Sequence, residues 1–139
     1  MTESGRAGRG LLDTSTVIQL AAISEEEHLP AEPLISTITL SELSIGPLVA
    51  RTDLERSARQ AHLQQAESDF DPLPFDAAAA RALGQVAASL RRAGRQTAAR
   101  AYDAMIAAVA IANGLPLYTC NPQDFAGIEG LVLVSVPAP

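Results

Sequence analysis

The strongest constraint on the fold comes from residues 100–125, which join a uniformly apolar helix to a short strand. The run Ala104–Ala112 contains no charged residue, and Asn113 with Gly114 is a typical helix C-terminus. A helix that is apolar on every side packs between other layers of a domain. Leu115–Tyr118 is short enough to be a core strand. This stretch therefore predicts a helix and a strand at the centre of the domain.

Strand and helix patterns alternate along the rest of the chain, which is short enough to be a single domain, 1–139. The predicted strands are Leu11–Leu12, Leu34–Ile38, Asp71–Phe75, Leu115–Tyr118 and Leu131–Val136. The other predicted helices are 14–23, one opened by Thr39 and interrupted at Gly46–Pro47, one from the Thr52–Glu55 capping box to about Ser68, and one between Asp76 and Gly94. This alternation predicts a parallel sheet covered by helices. We expect residues 1–9 to be disordered.

The charge balance limits the class of partner. The net charge is −6, which argues against a strongly basic nucleic-acid binder. All ten basic residues are arginine, however, and four of them cluster as candidate RNA contacts: Arg91, Arg92, Arg95 and Arg100. Ordinary helix-end charge is an equally good interpretation of that cluster. The single cysteine, Cys120, excludes an internal disulfide and a cysteine zinc site, and with the lack of a signal-peptide or transmembrane pattern it favours a cytoplasmic protein.

Four carboxylates lie where a parallel sheet would gather them. Asp13, Glu42 and Asp124 each follow a predicted strand, and Asp103 begins the apolar helix. The carboxyl ends of parallel strands form one edge, where ligands bind. Each acid also has a structural interpretation: Asp13 as a helix N-cap, Glu42 in a capping box with Thr39, Asp103 beside a helix dipole and Asp124 in a turn.

The four acids together predict a metal site. Carboxylates that meet without cations repel one another and raise one another's pKa. Oxygen ligands without histidine or cysteine select Mg²⁺ or Mn²⁺. Such ions activate water and stabilise displacement at phosphorus, so the pattern favours phosphodiester hydrolysis.

Four motifs, in this order, resemble those of one family. They are Leu11–Ser15, Thr39–Leu43, Asp103–Ala108 and Thr119–Phe125. In order and spacing they resemble the PIN-domain ribonucleases, and among these the VapC toxins of bacterial toxin–antitoxin pairs. The resemblance implies a PIN-like α/β/α sandwich with a short, mostly parallel sheet of about five strands.

The resemblance also implies a function. It implies a Mg²⁺-dependent endoribonuclease, with Mn²⁺ as a possible substitute, acting on tRNA or rRNA. Asp13, Glu42, Asp103 and Asp124 would be the catalytic and metal-binding acids, supported by Thr14 and Asn121. The implied partners are a VapB-type antitoxin and a second copy of the chain, with no membrane. The helices between residues 42 and 68 are candidates to form a groove that binds an antitoxin helix.

Other functions remain open. The first is a catalytically inert PIN-like module that binds protein or RNA. Small-molecule phosphoryl transfer is less favoured, because a receiver domain needs a lysine and a dehalogenase-type phosphatase needs an acid where Ser15 stands. No glycine-rich dinucleotide fingerprint follows the first strand. Loss of metal-dependent cleavage in a folded Asp13→Ala variant would distinguish the nuclease.

Overall fold

The core of the protein is a sheet of four parallel strands. The structure is a computed structural model that describes residues 8–24, 26–96 and 98–139. The strands are β1 (Arg9–Leu12), β2 (Glu32–Leu34), β3 (Leu117–Thr119) and β4 (Leu133–Ser135). Their order in the sheet is β2-β1-β3-β4, and every pair is parallel. The predicted parallel sheet with flanking helices is therefore confirmed, with β1 and β3 at its centre.

Helices connect and cover these strands. The α-helices of the described residues are α1 (Thr14–Gln19), α2 (Thr37–Leu48), α3 (Asp53–Asp69), α4 (Ala77–Arg92) and α5 (Ala101–Ala112). Short 3-10 segments lie at Leu20–Ala22, Glu26–His28, Ala98–Arg100 and Pro122–Phe125. None of the helices in the described part of the chain is long and apolar enough to cross a membrane.

Helix α5 is buried as predicted. Residues Ala104 and Ile106–Ala110 have no exposed surface, and they pack in one cluster with the α4 residues Ala79, Val86 and Leu90. Asn113 caps α5, and Gly114 follows with a φ of 64°, a conformation that glycine adopts without strain. The small side chains of α5 allow it to lie close to both α4 and the sheet.

One of the five predicted strands, Asp71–Phe75, is reduced to a single bridge. Leu73 pairs with Ser36 in parallel, through hydrogen bonds from Leu73 N to Ile35 O and from Thr37 N to Leu73 O, each 2.9 Å long. Pro72 and Pro74 flank Leu73 and have no N–H to donate, so the ladder cannot extend. The predicted strand Asp71–Phe75 is therefore corrected to an extended segment beside the sheet.

The start of α2 differs from the prediction. Strand β2 ends at Leu34, and Ser36 caps α2 by accepting a hydrogen bond from Thr39 N at 3.2 Å. Thr39 is therefore inside the helix, and the predicted capping box between Thr39 and Glu42 is wrong. Glu42 lies in the middle of α2, so its carboxylate is free of any capping role.

Two other boundaries are corrected. Helix α2 continues through Gly46 and Pro47 to Leu48 rather than breaking there, because Pro47 stands in the last turn and removes only one hydrogen bond. At the start of the chain, Arg9 opens β1 and Gly8 O accepts a hydrogen bond from Glu32 N at 2.8 Å. The predicted disordered segment 1–9 thus loses its last two residues, and residues 1–7 lie outside the described residues.

We expect Gly10→Ala to destabilise the protein by about 1–3 kcal/mol. A Cβ at Gly10 would lie 2.4 Å and 2.6 Å from two ring carbons of Tyr118, and 3.0 Å from Pro30 Cβ. Tyr118 is only 4% exposed, so its ring cannot move aside freely. Urea unfolding would measure the change in the free energy of unfolding.

The matched control for this variant is Gly84→Ala. Gly84 lies inside α4, and a Cβ there would have no neighbour within 4 Å. Alanine in a helix is more stable than glycine by roughly 0.5–1 kcal/mol, so this variant should be more stable than the parent. Equal effects of the two changes would contradict the close contact between Gly10 and Tyr118.

Candidate active site

The four predicted acids are held by elements at the carboxyl edge of the sheet. Asp13 directly follows β1, and Asp124 lies in the 3-10 segment that follows β3. Glu42 lies on α2, and Asp103 is in the first turn of α5. This is the edge at which open parallel sheets bind ligands.

Asp13 is buried and hydrogen-bonded through both carboxylate oxygens. It is 4% exposed and caps α1. Its Oδ1 accepts from Thr16 N at 3.2 Å and from Thr16 Oγ1, and its Oδ2 accepts from Ser15 Oγ at 3.1 Å and Thr119 Oγ1 at 2.8 Å. These four hydrogen bonds fix the orientation of the carboxylate. The N-cap interpretation is thus confirmed, and it does not conflict with a place at the sheet edge.

The same network joins the ends of the two central strands. Thr16 Oγ1 accepts a hydrogen bond from Cys120 N at 3.0 Å, and Thr119 Oγ1 accepts one from Asn121 N at 2.9 Å. Both threonines are fully buried. Asp13 therefore stabilises the fold through these hydrogen bonds. Asp13→Ala would remove the cap of α1 and leave buried donors unpaired, which would lower the free energy of unfolding by about 1–3 kcal/mol. Milder variants of the other acids are better tests of catalysis.

Thr14 contacts the Glu42 carboxylate directly. Thr14 Oγ1 lies 2.5 Å from Glu42 Oε1 and 3.0 Å from Thr39 Oγ1. Because a hydroxyl has one proton, Thr14 donates to the carboxylate and accepts from Thr39. The pKa of Glu42 is raised overall. Burial is the largest cause, the hydrogen bond from Thr14 opposes it, and the negative charge of Asp13 adds to it. Thr14 thus orients Glu42, which favours its predicted supporting role.

Asn121 reaches the acids only through an intermediate. Its Nδ2 donates to Ser15 Oγ at 2.9 Å, and Ser15 donates in turn to Asp13 Oδ2. Sequence reasoning treated Ser15 only as a missing acid and did not identify Thr16 or Thr119 as partners of Asp13. A hydroxyl two or three residues after an N-cap aspartate was the available signal for Ser15 and Thr16.

Asp103 has the most perturbed carboxyl group of the described residues. Burial raises its pKa to about 6, together with the negative charges of Asp124, Glu42 and Asp13, in that order, while Arg100 lowers it. Each of the other three acids is therefore close enough to disfavour a charge on Asp103. The four carboxylates form one electrostatic unit, which we call the acidic cluster.

We expect the metal-free protein to lose stability as the pH rises from about 4 to 6. The folded state holds a proton on Asp103 up to pH about 6, whereas the unfolded chain releases it near 3.8. Between these values the folded state binds more protons, so the free energy of unfolding falls with rising pH. Because Asp103 is partly solvated, we expect about 1 kcal/mol from this group.

Thermal unfolding with a chelator across this pH range would measure that loss. Asp103→Asn removes the titrating group and should flatten the profile relative to the parent. A parent protein whose stability rises steadily over the same range, with no difference from the variant, would contradict the assignment.

Asp124 is paired with a cation. Arg100 Nη1 lies 3.0 Å from Asp124 Oδ1, and both side chains are partly exposed. The other three predicted RNA-contact arginines do not contact the acidic cluster. Arg95 donates to Gln123 O at 3.2 Å, Arg92 pairs with Glu129 at 3.2 Å, and Arg91 is exposed.

A cavity of about 290 Å³ opens beside Glu42. Thr14, Arg59 and His62 line it together with Glu42 and aliphatic side chains of α1 and α2. His62 of α3 is partly exposed on the wall of this cavity. Arg59 is held there by Gly46 O at 3.0 Å and Glu55 at 3.2 Å.

The donor chemistry of the acidic cluster fits a hard divalent cation. All four acids offer carboxylate oxygens. The raised pKa of Asp103 reflects burial first and then neighbouring negative charge, which such an ion neutralises. In the described residues, however, no three His, Cys, Asp or Glu side chains are arranged as a ready-made metal site. Direct coordination by Asp13, Glu42 and Asp103 therefore stays a prediction.

Comparison with known proteins gives consistent matches. A family model described as PIN domain matches residues 11–131. The chain is 35% identical to Ribonuclease VapC5 of Mycobacterium tuberculosis, over 91% of this chain and 93% of that protein. It is 34% identical to the tRNA(fMet)-specific endonuclease VapC of Shigella flexneri, over 87% and 92% of the two chains.

A solved structure is similar over the same region. It is the crystal structure of VapBC-5, a member of the VapBC family of toxin–antitoxin systems from Mycobacterium tuberculosis. The TM-score is 0.79 at 33% sequence identity, covering 93% of this chain and 99% of the other. By sequence and fold, the chain belongs to the PIN-domain family, among the VapC ribonucleases.

Proposed function

We propose that this protein is a divalent-metal-dependent endoribonuclease toxin that a VapB-type antitoxin holds inactive. The observation that carries the proposal is the acidic cluster, whose four carboxylates share one edge of the sheet, where burial and neighbouring negative charges raise the pKa of Asp103 and of Glu42. Family membership supports the enzyme class. The names of the relatives support the substrate and partner, since one is a tRNA(fMet)-specific endonuclease and another is solved as a VapBC complex.

The proposed metal ligands are Asp13, Glu42 and Asp103, with Asp124 binding directly or through water. When bound, Mg²⁺ or Mn²⁺ supplies a water of lowered pKa and stabilises charge on the phosphate and leaving oxygen. The chain's own residues provide the geometry. Thr14 fixes the Glu42 carboxylate, and Asn121 acts on Asp13 through Ser15.

Mapping the 5′ ends of cellular RNA after induction of the protein tests this function. We expect defined new ends in a tRNA or rRNA, which Glu42→Gln abolishes. Glutamine keeps the hydrogen bond from Thr14 but not the charge, so this variant should remain folded. The control is Glu129→Gln, which removes an exposed acid that pairs with Arg92 away from the acidic cluster. Unchanged cleavage by Glu42→Gln would overturn the proposal.

A catalytically inert PIN-like binding module is the alternative. The lack of a ready-made three-ligand site among the described side chains is the observation that favours it. A purified protein that binds RNA or antitoxin with normal affinity, but produces no new RNA ends at any Mg²⁺ or Mn²⁺ concentration, would establish this alternative.

The proposed antitoxin surface lies at the turn between α2 and α3. Leu48, Val49 and Leu54 are 84%, 62% and 83% exposed there, beside an open groove of about 680 Å³ between the two helices. Exposed aliphatic side chains that lie together are typical of a protein-binding surface. The groove also has polar side chains from α3, among them Arg56. An amphipathic antitoxin helix matches that combination.

We expect Leu48→Asp to weaken antitoxin binding about 10- to 100-fold, since it places a charge in an interface that must exclude water. Calorimetric titration with the cognate antitoxin would measure the affinity. Val132→Asp is the control, because Val132 is 63% exposed but belongs to the loop before β4. An equal loss in both variants would contradict the assignment of this surface.

Self-association into a homodimer and a cytoplasmic location also belong to the proposal. Light scattering of the purified chain tests the homodimer.

A further inference from the structure

Arg100 is the cation that contacts the acidic cluster. Its Nη1 lies 3.0 Å from Asp124 Oδ1, and its charge also acts on Asp103, opposing the effect of the three acids. The other ion pairs formed within the described residues involve acids outside the cluster. Arg100 therefore supplies a positive charge where the proposed function places a metal ion.

The position of Arg100 in the fold is unfavourable for a basic residue. It occupies the N-cap position of α5, makes no side-chain capping bond there, and is the last residue of the 3-10 segment Ala98–Arg100. A helix N-terminus carries partial positive charge, so an arginine at this position is normally disfavoured. The pairing with Asp124 offsets that cost, which indicates that the cation is needed by the cluster rather than by the helix.

Asp124 already binds one cation through Oδ1, which accepts a hydrogen bond from the Arg100 guanidinium. The side chain of Asp124 is 45% exposed, so this ion pair lies at the solvent-facing side of the cluster. A divalent cation that enters the cluster competes with Arg100 for Asp124. The Arg100 side chain is 33% exposed, and its guanidinium has further N–H donors, which suit a phosphate oxygen.

We propose that Arg100 is a positioning residue that exchanges partners, holding Asp124 while the cluster is metal-free and contacting an RNA phosphate once the metal has taken Asp124. This inference rests on the proposed function, because it assumes a metal in the acidic cluster. It separates Arg100 from the other arginines of its sequence cluster, which lack a contact with the acids. It also predicts that loss of the Arg100 charge strengthens metal binding and weakens RNA binding.

Arg100→Gln is the test, and Arg9→Gln is its matched control. Both variants lower the net charge equally, but Arg9 pairs with Glu32 at the start of β1, away from the acidic cluster. Calorimetric titration with MnCl₂, without RNA, measures metal affinity. We expect Arg100→Gln to bind Mn²⁺ about 3- to 10-fold more tightly than Arg9→Gln, because the competing charge is gone. Arg100→Lys keeps the charge and should bind Mn²⁺ like the parent.

The second readout is the RNA. At saturating metal we expect Arg100→Gln to raise KM for RNA about tenfold with a smaller change in kcat, whereas Arg9→Gln leaves both near the parent values. Metal-free Arg100→Gln should also unfold at a lower temperature than Arg9→Gln, because its acids lack their counter-ion. Equal metal affinity in the two glutamine variants would overturn the exchange, even if all variants bind metal. Failure of every variant, and of the parent, to bind Mn²⁺ would instead overturn the proposed function.

Discussion

Asp103→Asn is expected to abolish RNA cleavage while making the metal-free protein more resistant to unfolding. Asp103 is predicted to be a direct metal ligand, and loss of a ligand that positions the ion should reduce kcat/KM about 10³-fold or more. Its carboxyl is also the group most destabilised by burial and by neighbouring charges. Asparagine has nearly the same shape without the charge, so the folded metal-free state should gain about 1 kcal/mol at pH 7.

Two measurements on the same preparations test this pair of effects. Cleavage of an RNA substrate in Mg²⁺ gives the rate, and thermal unfolding with a chelator gives the stability. Addition of Mg²⁺ should raise the unfolding temperature of the parent more than that of the variant, because a ligand stabilises the state that binds it. Asp71→Asn is the control, since Asp71 is an exposed acid in the segment beside the sheet. Normal cleavage by Asp103→Asn would exclude Asp103 from the active site.

Thr16→Val is expected to destabilise the protein by about 3 kcal/mol, although the two side chains have almost the same shape. The Thr16 hydroxyl donates to Asp13 Oδ1 and accepts from Cys120 N, and all of its surface is buried. Valine leaves both partners without this bond, and an unpaired buried polar group costs about 1–3 kcal/mol. Urea unfolding at neutral pH would measure the loss.

The Thr16→Ser variant separates the hydroxyl from the methyl group. Serine keeps both hydrogen bonds and loses one buried methyl, so we expect a cost of about 1 kcal/mol. The valine variant should also cleave RNA more slowly, because Asp13 loses one of the bonds that fix its carboxylate. If serine were as damaging as valine, packing rather than hydrogen bonding would explain the role of Thr16.

Local patterns were sufficient to predict the elements that carry their own signal. Helix α5 follows from its uniform apolarity, and α3 and α4 begin at the caps that the sequence predicts, Thr52 and Asp76. The start of α2 was missed because several hydroxyl residues in a row are each acceptable as a cap. Ser36 is the N-cap of α2 because β2 ends at Leu34, and the end of β2 depends on its pairing with β1.

The order of the four motifs predicted acids that the structure brings to one edge of the sheet, but it did not predict the hydrogen bonds that hold them. The local interpretation of Glu42 as a capping residue was wrong. The hydrogen bond from Thr119 to Asp13 joins residues 106 positions apart, and that from Cys120 to Thr16 joins residues 104 apart. No spacing along one chain encodes such contacts, because they arise only when β1 and β3 become neighbours in the sheet.

The pairing of β1 with β3 has a consequence for synthesis of the protein. Asp13 is translated well before its partner Thr119, which lies 106 residues later in the chain. Contacts of such long range close late in folding. A nascent polypeptide that ends before Thr119 lacks a central strand and the last of the four acids. The acidic cluster is therefore complete only after translation has passed Asp124.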